Sequence, residues 1–230
     1  MNFEVARRLI DIRKQVWKDT KDKMEKFTGQ IVIINNPHVG KVQTNLKIIS
    51  GDIDPIVLTN EFKGTLVYLG CQTNAGAGVE DGMPTAEAEL CRRTNYWKPL
   101  KRIKASLNYP LEYGNCLYIS DVKVHMNDQY EDVEHYSIDI ISIILPSPSV
   151  ITINGEECFD RQSYRDMVIR CLQNVASYCS NTLVFHTFDS MPCADLFRCM
   201  KEACLGNVLF LTRKDDRELE EMTALAKKYI

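Results

Sequence analysis

The chain has 230 residues, 45% of them hydrophobic and 26% charged, enough apolar sequence to bury a core of ordinary size and to exclude a disordered or fibrous protein. With 28 Lys and Arg against 31 Asp and Glu it has no basic excess of the kind that grips a phosphate backbone, so nucleic acid is not an expected partner. Its apolar runs fall far short of the roughly 20 residues that cross a bilayer, and residues 1–8 lack a secretory core. An intracellular protein, cytoplasmic or nuclear and without a membrane partner, is expected.

From Phe3 to Phe27 there is no Gly or Pro, and Val5, Leu9, Ile12, Val16 and Trp17 recur at helical spacing, which predicts a long amphipathic N-terminal helix stopped by Gly29. Short β-type runs follow at Ile31–Ile34, Leu46–Ile49, Leu66–Leu69, Leu117–Ile119, Val122–His125 and Ile138–Leu145. After Ile151 the pattern becomes helix (Arg161–Cys179), strand (Thr182–Phe185), helix (Pro192–Cys204), strand (Val208–Leu211) and helix (Asp216–Tyr229). That alternation predicts βα units and a largely parallel sheet covered on both faces. No linker, repeat or low-complexity tract divides the chain, so residues 1–230 are expected to form one domain.

The nine cysteines are odd in number and contain no Cys-x-x-Cys pair, which points to reduced thiols. Cys71, Cys116, Cys171 and Cys179 fit small buried hydrophobes. His38, His125, His135 and His186 form no ligand-spaced pair, and neither a metal site nor a cofactor is expected.

Chemistry concentrates after the strand Leu66–Leu69. There Gly70 to Gly82 includes Gly76-Ala77-Gly78-Val79, and a helix opens near Pro84-Thr85. A Gly-rich loop between a strand and a helix N-terminus offers backbone N–H groups to an anion; the same string also reads as a plain turn, since neither dinucleotide nor Walker spacing is present. The helix continues Glu87-Ala88-Glu89-Leu90-Cys91-Arg92-Arg93-Thr94. Arg92 and Arg93 read either as a phosphate clamp or as a salt-bridged helix face. His186, at a strand end, reads as a base or a structural histidine, and Cys193 opens a predicted helix without a visible catalytic partner. Trp17, Tyr96 and Trp97 read as packing residues rather than a base-stacking platform.

Together the Gly loop, the acidic first turn and the Arg pair resemble the microbial-type poly(ADP-ribose) glycohydrolases, a branch of the macro domain superfamily. The family's Gly-Gly-Gly-Val, Gln-Glu-Glu and Leu-Cys-Arg-Arg-Ser correspond, at unchanged intervals, to Gly76-Ala77-Gly78-Val79, Ala86-Glu87-Ala88 and Leu90-Cys91-Arg92-Arg93-Thr94. Arg13 with Val16-Trp17-Lys18-Asp19-Thr20 is similar to its leader helix, Ser50-Gly51-Asp52-Ile53 to its adenine-contacting segment, and Tyr109-Pro110 with Leu117 to Val124 to a later strand pair. Arg170 matches an inward-pointing Arg. The resemblance runs along nearly the whole chain. It implies a three-layer α/β/α macro-domain-like sandwich with a mixed, largely parallel sheet, an N-terminal helical extension and an ADP-ribose cleft above the strand ends. Asp52, Ile53, Gly76, Ala77, Gly78, Val79, Glu87, Thr187 and Phe188 are the ligand-binding residues it implies.

Two departures bear on activity. In the family the second Glu of Gln-Glu-Glu is the general acid/base, and Ala88 stands there; a methyl group moves no proton, which costs roughly 100- to 10,000-fold in rate. Glu89 is rotated about 100° from that slot on a helix, while Glu87 keeps the ribose-contacting place. The family's diphosphate loop carries glycines, whereas Phe185 to Cys193 here contains none and includes Asp189, which repels a like charge. The expectation is an ADP-ribose-recognising pseudoenzyme whose partner is ADP-ribose, a related nucleotide, an ADP-ribosylated protein or another protein. The alternatives are a hydrolase of altered mechanism using Glu87 or Glu89 as catalytic residue, and an interaction module with a vestigial cleft.

Overall fold

A computed structural model describes residue 11 and residues 31–34, 43–50, 54–71, 90–91, 93–96, 114–124, 136–145, 150–153, 156–159, 161–186, 191–212 and 216–230. In chain order these form β1 (Ile31–Ile34), β2 (Asn45–Ser50), α1 (Pro55–Glu61), β3 (Thr65–Cys71), β4 (Cys116–Lys123), β5 (Ser137–Ile144), β6 (Val150–Ile153), β7 (Glu156–Phe159), α2 (Arg161–Tyr178), β8 (Leu183–His186), α3 (Cys193–Ala203), β9 (Asn207–Thr212) and α4 (Asp216–Tyr229). Of the helix predicted over Phe3–Phe27, only Asp11 is described, in helical conformation; the rest lies outside the described residues.

Among the described residues seven strands make one sheet in the order β1-β4-β5-β3-β8-β9-β2, and β6 and β7 form a separate hairpin. The pairs β5-β3, β3-β8, β8-β9 and β9-β2 are parallel, while β1-β4 and β4-β5 are antiparallel. The sheet is thus mixed and mostly parallel, as the alternating strand and helix pattern predicts.

Side chains of the central strands alternate between two cores, one on each sheet face. Leu66, Tyr68, Ile140, Ile144, Val184 and Leu209 face the first, which Ile56 and Leu58 of α1 close together with Leu90, Cys91 and Tyr96. Val67, Ile141, Ile143, Phe185 and Phe210 face the second, packed on Val168 and Leu172 of α2, Leu196, Phe197 and Met200 of α3 and, less buried, Met222 and Leu225 of α4. Each such side chain, fully buried, stabilises the fold by about 1.5–3 kcal/mol. Buried on both faces, β5 reads as an almost unbroken apolar run.

Three elements depart from the sequence expectation. The two predicted strands Leu117–Ile119 and Val122–His125 are joined as β4, whose pairing with β5 slips between Ile119 and Val122. Asp121 takes a positive φ of 53° there, and Asp139 of β5 holds the irregularity by accepting from the Asp121 N–H at 3.1 Å and the Tyr118 hydroxyl at 2.6 Å. The helix α1 and the β6-β7 hairpin were not expected, the first because its seven residues are too short for periodicity to register. Arg170, matched to an inward arginine, is exposed on α2.

The cysteine expectation holds at Cys116 and Cys171, which are buried, and no disulfide joins the described cysteines; Cys179 is only half-buried. The Cys71 side chain lies outside the description.

Candidate functional site

Because β2, β3, β8 and β9 are mutually parallel, their carboxyl ends lie along one edge of the sheet. The segments read in sequence as ligand-binding follow three of these strands in the chain: Asp52 and Ile53 after β2, Gly76 to Val79 after β3, Thr187 and Phe188 after β8. Those residues, with Glu87, Ala88 and Glu89, lie outside the described residues. Open α/β sheets bind ligands at this edge, where neighbouring connections leave in opposite directions. Strand β3 marks that place, flanked by β5 on one side and β8 on the other.

A cavity of about 280 Å³ sits beside it, lined by Asp54, Pro55 and Ile56 from the start of α1, Leu66 and Tyr68 from β3, Leu90 and Arg93 from the segment after the Gly-rich loop, and His186 from the end of β8. Its walls are mostly apolar, with an acid, a base and an imidazole as the convergent polar groups, the usual make-up of a small-molecule site. Tyr68 and His186 face one another with ring centroids 6.1 Å apart and planes inclined by 34°.

Asp54 serves two elements. Its Oδ1 accepts from the Ile56 N–H at 2.8 Å and caps α1, whose first helical residue is Pro55. Its Oδ2 pairs with Nη1 of Arg93. Both side chains remain about a third exposed (27% and 30%), so the pair lies at the rim of the cavity rather than in the core. Burial, reinforced by the Asp54 charge, pushes the nearby Tyr136 hydroxyl above its ordinary pKa, and that oxygen has no hydrogen-bond partner among the described residues.

The segment bearing Arg93 is anchored from below. Thr94 bridges Val124, and its hydroxyl donates to the Leu90 carbonyl at 2.7 Å and accepts from the Tyr96 N–H at 3.1 Å. The Asn95 N–H donates to the Lys123 carbonyl at 3.1 Å, while its Oδ1 accepts from the Lys123 N–H at 2.9 Å. Tyr96 is fully buried and hydrogen-bonded to Ser142, which bears out the packing reading of that aromatic.

Of the residues singled out in sequence, Arg93 and His186 are therefore brought to one cavity, and Arg93 takes the salt-bridged alternative. Sequence reasoning missed Asp54 and Tyr68. Asp-Pro ahead of an apolar run is an N-cap signal that points to Asp54, but nothing local ties it to an arginine 39 positions away. Among the described residues no cluster of His, Cys, Asp and Glu suits a metal ion, and no helix is long and apolar enough to cross a membrane.

No family model matches the chain, and no curated protein matches it either. Solved structures do. The poly(ADP-ribose) glycohydrolase of Thermomonospora curvata bound to the inhibitor ADP-HPD is 12% identical, with 96% of this chain and 100% of that one covered and a TM-score of 0.62. Another structure of that enzyme gives 11% identity, the same coverage and a TM-score of 0.61. The poly(ADP-ribose) glycohydrolase of Deinococcus radiodurans in complex with ADP-ribose is 14% identical over 96% of this chain and 91% of that one, with a TM-score of 0.52. The chain thus has the fold of these poly(ADP-ribose) glycohydrolases, at 11–14% sequence identity. That is the fold the sequence motifs imply.

Proposed function

We propose that this protein binds ADP-ribose, free or attached to a protein, in a cleft over the carboxyl ends of β2, β3 and β8, and that it hydrolyses the ligand poorly if at all. One observation carries the reading: the three segments matched in sequence to the ligand-binding parts of the glycohydrolases follow three mutually parallel strands of the same fold, and so leave the sheet at one edge. A relative in fold has been crystallised with ADP-ribose, which agrees with this choice of ligand.

In this reading Asp52 and Ile53 meet the adenine, the Gly76-Ala77-Gly78-Val79 backbone and the 187–188 segment meet the diphosphate, and Glu87 meets the terminal ribose. Weak catalysis follows from Ala88, because the position of the acid/base holds a side chain with no proton to give. In this reading the segment is helical, and helical spacing sets Glu89, one residue on, about 100° from that position.

Calorimetric titration with ADP-ribose, with AMP and NAD as comparators, tests binding. Micromolar affinity selective for ADP-ribose is expected. No heat up to millimolar ligand overturns the reading and moves the search to protein partners. Release of ADP-ribose from a modified protein, abolished by Glu87→Ala or Glu89→Ala, would instead make the chain a hydrolase of altered mechanism.

A further inference from the structure

Two thiols meet inside the second core. Cys116 opens β4 and Cys171 stands in the middle of α2, 55 positions on, and both are at most 1% exposed. The Cys171 thiol donates to the Gly114 carbonyl at 3.4 Å, and the Cys116 thiol donates to the Cys171 carbonyl at 3.5 Å with the same Gly114 oxygen at 4.0 Å. The two thiols also hydrogen-bond to one another, and the buried side chain of Asn174, one turn further along α2, bonds to Cys116. Filling of apolar space accounts for the burial but not for this set of contacts. Cys179 and Cys199 show the contrast: the first reaches the Thr65 hydroxyl and the second the Arg165 carbonyl, each at 4.0 Å, and burial pushes both up to about 11. In the pair, the hydrogen bond from Cys116 holds Cys171 below its ordinary pKa, and that same bond, with burial, raises Cys116. One sulfur is thereby prepared to attack as a thiolate, while the other keeps its proton. The surface is two residues from Cys116: Gly114 and Asn115 are half-buried, and Gly114, whose carbonyl Cys171 touches, turns the chain with a φ of 91°.

We infer that Cys116 and Cys171 are an oxidisable dithiol, a modification site that takes a small peroxide as its two-electron oxidant and closes to a disulfide tying β4 to α2. The Cys171 thiolate attacks one peroxide oxygen; the O–O bond breaks, hydroxide leaves, and Cys171 becomes a sulfenic acid. The Cys116 sulfur then attacks the Cys171 sulfur; the S–S bond forms, the S–O bond breaks, and the hydroxyl leaves with the Cys116 proton as water. The proton that Cys171 gave up turns the hydroxide into a second water, so two thiols and one hydrogen peroxide give one disulfide and two waters. Hydrogen peroxide is little larger than water, and a small opening of the Gly114 turn admits it to Cys171. The bond closes a loop of 55 positions and restricts the unfolded chain far more than the folded one, where the two thiols already touch.

The test treats the full chain with a single equivalent of hydrogen peroxide, blocks the remaining thiols with iodoacetamide in denaturant, and maps the cysteine peptides by mass spectrometry. The expected product is a linked Cys116–Cys171 pair that dithiothreitol releases. The urea midpoint of the oxidised chain is expected to lie about 1 M above that of the reduced one, and to return on reduction. In Cys116→Ala the sulfenic acid of Cys171 has no thiol to resolve it and is trapped by dimedone, whereas Cys171→Ala leaves Cys116 a free thiol. Peroxide that is consumed at the half-exposed Cys193 or Cys204 while the pair stays reduced overturns the inference, as does a bond from either thiol to a third cysteine. A linked pair with an unchanged urea midpoint overturns it too, since the bond would then tie nothing that unfolding releases. Mapping and midpoint need only the wild-type chain, so the decision stands even where an alanine variant does not fold.

Discussion

The hydroxyls of Tyr96 and Ser142 share a hydrogen bond in a fully buried position between the segment after the Gly-rich loop and the central strand β5. A bond of this kind adds little over water while both partners are present, but stranding one partner costs its full desolvation. Tyr96→Phe, which leaves the Ser142 hydroxyl without it, is expected to lose about 1–3 kcal/mol in urea unfolding. Adding Ser142→Ala should cost less than the sum of the two single changes. Strict additivity would show that the two groups do not interact in solution.

Gly64 lies where the turn after α1 passes under Thr182. A Cβ there would stand 2.5 Å from the Thr182 carbonyl oxygen, the atom that accepts the Thr65 N–H at 2.9 Å. Gly64→Ala should lower stability by about 1–3 kcal/mol, since backbone and not a flexible side-chain end must yield. An unchanged unfolding midpoint would contradict this packing.

Asp195 is 2% exposed in the first turn of α3, where it accepts from Nε of Arg161 at 2.7 Å and has Nη1 of Arg198 at 3.6 Å. Both arginines reach solvent. Arg161→Met strips the buried carboxylate of its main partner, whereas Asp195→Asn leaves two cations that water can cover. Arg161→Met is therefore expected to be the more destabilising of the two, although Arg161 is the more exposed residue. Paired chemical-unfolding curves decide the order.

Burial pushes Cys199 up to about 11 and Tyr164 up to about 12, from 9.0 and 10.0. Both groups are neutral when protonated, and the folded chain holds its protons more tightly than the unfolded one. Their stabilisation is therefore complete below about pH 9 and is lost as pH rises through 11 and then 12. Urea midpoints should be flat from pH 7 to 9 and then fall, and Cys199→Ala should reduce the earlier part of the fall without abolishing it, because burial also pushes Cys179 up to about 11. A decline that starts below pH 8 would have another source.

Restoring the acid is the direct check on catalysis. Ala88→Glu is expected to raise release of ADP-ribose from a modified protein by about 100-fold or more. No gain in a variant that still binds ADP-ribose would locate the defect in the pose of the ligand.

Much of the second half of the chain was legible in sequence. Arg161–Tyr178 and Asp216–Tyr229 emerge as helices within a residue of their expected ends, because amphipathic periodicity over 14 to 18 residues is a strong local signal. Val208–Leu211 and Ile138–Leu145 emerge as strands because they are short apolar runs bounded by polar residues. Seven-residue α1 carries two turns of signal at most, and its helical state is decided by the Asp54 cap and by burial of Ile56 and Leu58 against β3, β5 and β8. The β4 irregularity was hidden as well, since its cause, the carboxylate of Asp139, lies on another strand.

By itself the sequence determined most of the longer strands and helices, the class of fold, and the residue types at Ala88 and in the 185–193 segment on which the proposed weak catalysis rests. These are properties of neighbouring residues, written in spacing and residue type. Tertiary structure alone decided the strand order, the turning of Arg93 to Asp54, the meeting of Tyr68 with His186 and the pinning of Tyr96 to Ser142. Each of those joins groups 39 to 118 positions apart, and no local pattern encodes a partner at that range. Only the order in which parallel strands stack, fixed by which faces must be buried together, brings them within contact.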